Sequence, residues 1–263
     1  MRFIRSGLVA VLGMGVIACS GSASAADKSI KYTRHNLSSS GLYDVKAVSE
    51  NQICKFCHAP HNADSREAPL WNRNDTTATF TMATTRWVNW GRAAQTGADS
   101  QPTTISKKCL SCHDGSIAIG EIRNGGPIAM ATSTKLDGDG SLKDNNPFGP
   151  KDLRGGHVIS FKYKTFYDNC LSDGGCAEGR FKSWETILVA DQRSMFDRNG
   201  AMQCHTCHDP HTDRCNDSSK TIGKDPLWRK ICDHDGGFND GNGSLCNTCH
   251  NTFAEYTAPN LMF

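Results

Sequence analysis

Long apolar runs, aromatic residues and a surplus of charge are all scarce in this chain. Hydrophobic residues make up 37% and aromatics 8% of 263 positions, thin material for the core of a protein of this size. Something other than side chains must therefore fill part of the interior. The one sustained apolar run, 7–18, follows Arg2 and Arg5. It is too short to span a bilayer and has the shape of a secretory signal. Losing Arg2 and Arg5 with that leader brings Lys+Arg level with the 27 Asp+Glu. The mature chain then has no basic excess, which excludes an electrostatic nucleic-acid binder.

Cysteine and histidine are what the chain has in plenty, with 13 and 10 copies. That many cysteines exclude an ordinary cytosolic enzyme and point to an oxidising compartment or a bound cofactor. Export is consistent with the leader, for which two cleavage sites compete. Ala23-Ser24-Ala25 is an A-x-A site that leaves a chain beginning at Ala26, after a signal of 1–25. VIAC (16–19) resembles a lipobox, which would end the signal at 18 and acylate Cys19.

CxxCH occurs four times, as Cys54-Cys57-His58, Cys109-Cys112-His113, Cys204-Cys207-His208 and Cys246-Cys249-His250. On one helical turn, positions i, i+3 and i+4 share a face. Two thiols at that spacing can form thioethers with one porphyrin edge while the adjacent imidazole turns onto the iron. CxxC pairs also build zinc ribbons, but four copies each followed directly by His, in an exported chain, are the signature of c-type haem. The expected cofactors are four covalently bound c-type haems, with His58, His113, His208 and His250 as proximal ligands.

The landmarks come in duplicate. The order H-x-[LI]-S, CxxCHxPH, PLW, CxxCH appears first as HNLS (35–38), CKFCHAPH (54–61), PLW (69–71) and CLSCH (109–113). It returns as HVIS (157–160), CHTCHDPH (204–211), PLW (226–228) and CNTCH (246–250). Each half, 26–149 and 150–263, reads as a dihaem module. The duplication leaves His35, His61, His157 and His211 as matched spare histidines, one per haem, which suits bis-His ligation throughout. His205 and His234 have no counterpart in the first half and read as polar or loop residues.

His61 follows its own proximal ligand too closely to reach the far face of the same haem. Pro60 lacks an N–H and disfavours helix in the residue before it, so the chain is directed away just before His61. His61 and His211 are therefore expected to cap neighbouring haems. With histidines enough, Met82, Met130, Met195 and Met202 read as packing or loop residues, and Trp71 and Trp228 as bulk over porphyrin faces.

Cys170, Cys176, Cys215 and Cys232 lie outside any CxxCH and are expected to form two disulfides. Three connectivities are possible; proximity favours Cys170–Cys176 and Cys215–Cys232. The Asp/Gly/Asn-rich stretches 136–146 and 233–244 depart from the EF-hand register and read as ordinary turns. A longer helix is expected over 183–197, where Trp184, Ile187, Leu188 and Asp191 recur near helical spacing.

HNLS, CxxCHAPHNA, PLWNR, CLSCHDGS and H-x-[IV]-S-F-x-Y (157–163) resemble exported multihaem cytochromes of metal-reducing bacteria. The resemblance is closest to tetrahaem outer-membrane cytochromes that polymerise into extracellular filaments. It implies haems stacked in alternating parallel and T-shaped pairs, and copies of the chain joined end to end. It also implies a histidine of one subunit capping a haem of the next, with His35 the candidate. The extra cysteines and the lipobox depart from that pattern.

The expected architecture is a mostly irregular, coil-rich chain with short α-helices at the CxxCH motifs. It is a haem-cored multihaem cytochrome c built from two diverged dihaem modules. The expected function is electron relay without substrate chemistry, at or beyond the outer membrane, as a filament or as a periplasmic or lipid-anchored shuttle. Partners would be other redox proteins, extracellular electron acceptors or further copies of the chain. A reductase would need an open or unusual axial site, and every motif here ends in His.

Overall fold

The computed structural model describes residues 29–63, 70–83, 101–143, 151–174, 176, 180–189, 195–212 and 245–251. The leader, Cys215, Cys232, His234, Trp228 and the stretch 233–244 lie outside the described residues. Regular structure is short and scattered. Helix α1 is Thr104–His113, strand β1 Phe161–Lys162, helix α2 Tyr163–Ser172, helix α3 Trp184–Val189, strand β2 Ala201–Met202 and helix α4 Cys204–Cys207. Single 3-10 turns add Ile30–Tyr32, Ile53–Phe56 and Cys246–Thr248. No described helix is long and apolar enough to cross a membrane.

Helix α1 carries a whole CxxCH motif, and local chemistry sets its limits. Pro102 and the extended Thr103 precede it. At the other end Gly115 takes φ +67°, the left-handed geometry that closes a helix and that glycine adopts without a Cβ penalty. The helix therefore stops just past His113 and leaves the imidazole at its end. Helix α2 closes the same way, with Gly174 at φ +76°. Cys170, in its last turn, is joined by a disulfide to Cys176 just beyond it, as expected, with Cα atoms 5.2 Å apart. The expected helix over 183–197 is observed as the shorter α3, and 190–194 lie outside the described residues.

Among the described residues the apolar core takes the form of two small clusters. The larger gathers Phe161, Tyr163, Phe166, Ile187, Met195, Phe196, Met202 and Cys249; the smaller holds Phe80, Met82 and Leu110. Met82, Met195 and Met202 thus pack in apolar surroundings. Around the motifs, buried polar side chains replace hydrophobic packing, and Asn36, Ser38, Asn72, Arg73, Ser106, Ser160 and Gln203 are all at most 1% exposed.

These polar groups stitch the two halves of the sequence together. Gln203, the residue before α4, accepts from Ser106 Oγ of α1 at 2.6 Å and from Ser160 Oγ at 3.1 Å. Its amide nitrogen donates to Thr103 Oγ1 at 3.1 Å and to Asp197 Oδ2 at 3.0 Å. Ser106 Oγ in turn accepts from the Cys204 N–H at 3.0 Å. The β1–β2 pairing, Phe161 with Met202 and Lys162 with Ala201, anchors the same junction. The second and third CxxCH motifs are thereby held side by side.

Candidate functional site

Each CxxCH motif sits on a tight turn. Cys54 lies on the Ile53–Phe56 turn with Cys57 at its end, and Cys109 and Cys112 lie within α1. Cys204 and Cys207 form the ends of α4, and Cys246 opens the last 3-10 turn, followed by Cys249 and His250. In the first motif the His58 N–H donates to Cys54 O at 2.8 Å, and in the third the His208 N–H donates to Cys204 O at 3.0 Å. The proximal histidine is thus tied back onto its own turn in both.

The motifs crowd together through their thiols. Cys109 donates a hydrogen bond to Cys204, which raises the Cys109 pKa and lowers that of Cys204 to about 7. Burial pushes the Cys57 thiol up to about 12, with the Cys112 thiol as the second cause. The second motif therefore touches the third and lies within electrostatic reach of the first. Arg73 braces this region from the PLWNR segment. Its guanidinium donates to the carbonyls of Ile119, Glu121, Ser111 and Ala118 at 2.8–3.3 Å. Asn72 donates to Lys55 O at 2.7 Å, fastening the same segment to the first motif. Trp71 presents its ring edge-on to His58 at 6.0 Å between centroids, and its buried Nε1 has no hydrogen-bond acceptor.

The spare histidines meet the proximal ones in pairs. Ring centroids are 6.0 Å apart for His35 and His113, 6.2 Å for His58 and His211, and 6.5 Å for His157 and His250. Two imidazoles hydrogen-bonded to each other would have centroids about 5 Å apart, and stacked rings would be closer still. Two imidazoles on opposite sides of one metal, with bonds of about 2 Å and each ring centre about 1 Å behind its nitrogen, stand about 6 Å apart. The observed spacings match the second arrangement. Among the described residues no group of three or more His, Cys, Asp or Glu is placed to hold a metal ion alone. Histidines in twos are what a protein supplies when a porphyrin occupies the equatorial positions.

One ring nitrogen of each of the three paired spare histidines lies close to an oxygen. His35 Nδ1 lies 3.3 Å from Pro210 O, His157 Nδ1 2.9 Å from Val158 O, and His211 Nδ1 3.4 Å from Asp209 Oδ1. This leaves Nε2 for coordination, with the other ring nitrogen fixed by an oxygen, the usual outer-sphere arrangement of a ligating histidine. Burial, with the partner histidine next, lowers the pKa of His35 to about 4 and that of His250 to about 4. Burial also lowers that of His113, with His208 as the second cause. Neutral imidazole is the ligating form.

The structure thus pairs three of the four spare histidines with proximal ones. His61 is exposed, and no contact is assigned to it. His35 has its partner, His113, in its own chain. Three residues that organise the site escaped the sequence reading: Gln203, Arg73 and Asp209. Arg73 lies in the PLWNR segment and Asp209 in CHDPH, so the repeat flagged their surroundings without giving them a role. No protein-family model and no curated protein matches the chain.

Proposed function

We propose that the chain binds four c-type haems and relays electrons among them, with each iron held between two histidines. The observation that carries the reading is the set of three pairs in which a CxxCH histidine faces a spare one at 6.0–6.5 Å. A haem so held exchanges single electrons at its iron without binding substrate. The rest is the work of the chain. Cys54 and Cys57, Cys109 and Cys112, Cys204 and Cys207, and Cys246 and Cys249 attach the four groups. His58, His113, His208 and His250 are the proximal ligands, and His211, His35 and His157 cap the first, second and fourth sites.

His61 remains for the third site, on Cys204 and Cys207. The assignment follows from reciprocity: His211 of the third motif faces His58 of the first, so His61 of the first motif serves His208 of the third. The hydrogen-bonded Cys109 and Cys204 support close approach of the second and third haem edges. The unpartnered Trp71 Nε1 beside His58 is an indole donor awaiting an acceptor. An exported relay at or beyond the outer membrane, with redox proteins or extracellular acceptors as partners, is the setting that the leader and the family resemblance support.

With His35 engaged in its own chain, each haem obtains both ligands internally. Copies of the chain would then join into a filament through surface contact, without sharing His35. Purified exported protein should carry four haems by pyridine haemochrome assay and show only low-spin signals when oxidised. A high-spin band in untreated protein would sink the bis-His reading and revive a reductase. Electron micrographs should show fibres; uniform separate particles would remove the filament and leave the relay.

A further inference from the structure

The outer-sphere partners of the spare histidines are not alike. His35 and His157 direct Nδ1 at main-chain carbonyls, those of Pro210 and Val158. His211 faces the side-chain carboxylate of Asp209, with Oδ1 3.4 Å from Nδ1. The same oxygen accepts from the His211 N–H at 3.0 Å, so the carboxylate fixes the backbone of this residue and faces its ring. The Asp209 side chain is 17% exposed and that of His211 65%. The matching residue in the first half is Ala59 of CHAPH, so no carboxylate stands there for His61.

We infer that Asp209 is a positioning residue for His211 and makes the haem on Cys54 and Cys57 the hardest of the set to reduce. This rests on the proposed ligand role of His211. When Nε2 is bound to a metal, the remaining ring proton sits on Nδ1, against the carboxylate. A carboxylate pulls that proton more strongly than a carbonyl does, gives the ring imidazolate character and raises its basicity as a ligand. A more basic ligand favours the oxidised iron, and outer-sphere hydrogen bonding is one of the levers that set haem potential. The negative charge acts in the same direction. The carboxylate thus distinguishes one site in a set otherwise built from repeated parts.

The test is a haem-resolved redox titration of the full-length haem-loaded protein and its Asp209→Asn variant. The amide keeps an oxygen for the His211 N–H and for Nδ1 but loses the charge. One haem of the four should rise in potential while all four stay low-spin, and Asp209→Glu should restore most of the shift. In the otherwise unaltered protein, removing the attachment cysteines with Cys54→Ala and Cys57→Ala should abolish the lowest-potential component. That measurement decides the matter if the Asp209→Asn protein does not accumulate. No shift, an equal shift of every haem, or a lowest-potential component that survives loss of Cys54 and Cys57 would overturn the role of Asp209. Absence of low-spin signals from unaltered protein would instead overturn the ligand reading beneath it.

Discussion

Replacing His211 with alanine separates the two proposed haem sites that compete for it. If His211 caps the site facing His58, the haem on Cys54 and Cys57 turns high-spin while the one on Cys204 and Cys207, nearer in sequence, keeps its spectrum. Visible absorption of the variant, with the two haems told apart by cysteine replacement, gives the answer. A change confined to the Cys204 site would mean that the pairing is wrong. Ring orientation offers a second measurement. The planes of His58 and His211 are 15° apart, those of His157 and His250 84°, and those of His35 and His113 64°. Near-parallel axial rings lift the degeneracy of the iron orbitals they overlap, and near-perpendicular rings leave it nearly intact. Electron paramagnetic resonance of the oxidised protein should therefore show an ordinary rhombic low-spin signal together with strongly anisotropic ones. A single type of signal would contradict the ring geometry. The identity of the spare histidines was legible in the sequence because each recurs at a matched place in the duplication. Their partners were not, because pairing depends on where the chain returns: His35 meets Pro210 across 175 positions.

The elements that carry these residues are brief, and their positions depend on buried polar contacts more than on apolar packing. In the HNLS loop, Ser38 Oγ donates to Asn36 Oδ1 at 2.6 Å and Asn36 Nδ2 donates to Lys31 O at 2.8 Å. Gly41 lies against that loop, where a Cβ would stand 2.2 Å from the Asn36 carbonyl oxygen. Gly41→Ala must push this backbone away and His35 with it. The expected result is a loss of about 2–4 kcal/mol in chemical denaturation, with high-spin character at the Cys109 and Cys112 site. Gln203→Leu should lower stability by about 2–4 kcal/mol as well, because it leaves buried hydroxyls on Ser106 and Ser160 without their acceptor. An unchanged denaturation midpoint would show that water takes over the role of Gln203. Sequence periodicity could indicate short turns at CxxCH, since the motif itself requires them. It could not reveal the Gln203 junction, whose partners Thr103, Ser106 and Ser160 come from segments far from it in the chain.

At the scale of the whole molecule, the boundary drawn at 149/150 marks a duplication, while the described structure joins the halves through β1–β2, α1 against α4, and the pairing of His58 with His211. Composition foretold the thin core, and the two small apolar clusters agree with it. Chain exported without haem attachment is expected to show no cooperative thermal transition by circular dichroism, because the groups that would fill its interior are missing. A sharp transition in such material would mean that side chains alone hold the fold. If the histidine pairs are ligand pairs as proposed, their crossing between halves also bears on how the protein is made. A chain that leaves the membrane from its N-terminus presents Cys54, Cys57 and His58 long before His211 follows. The first site must then wait half-built, with one histidine in place, until the third motif emerges. Whatever escorts the emerging chain would then have to shield any iron bound there during the interval, and a chain cut short before His211 would leave that proposed site with one histidine.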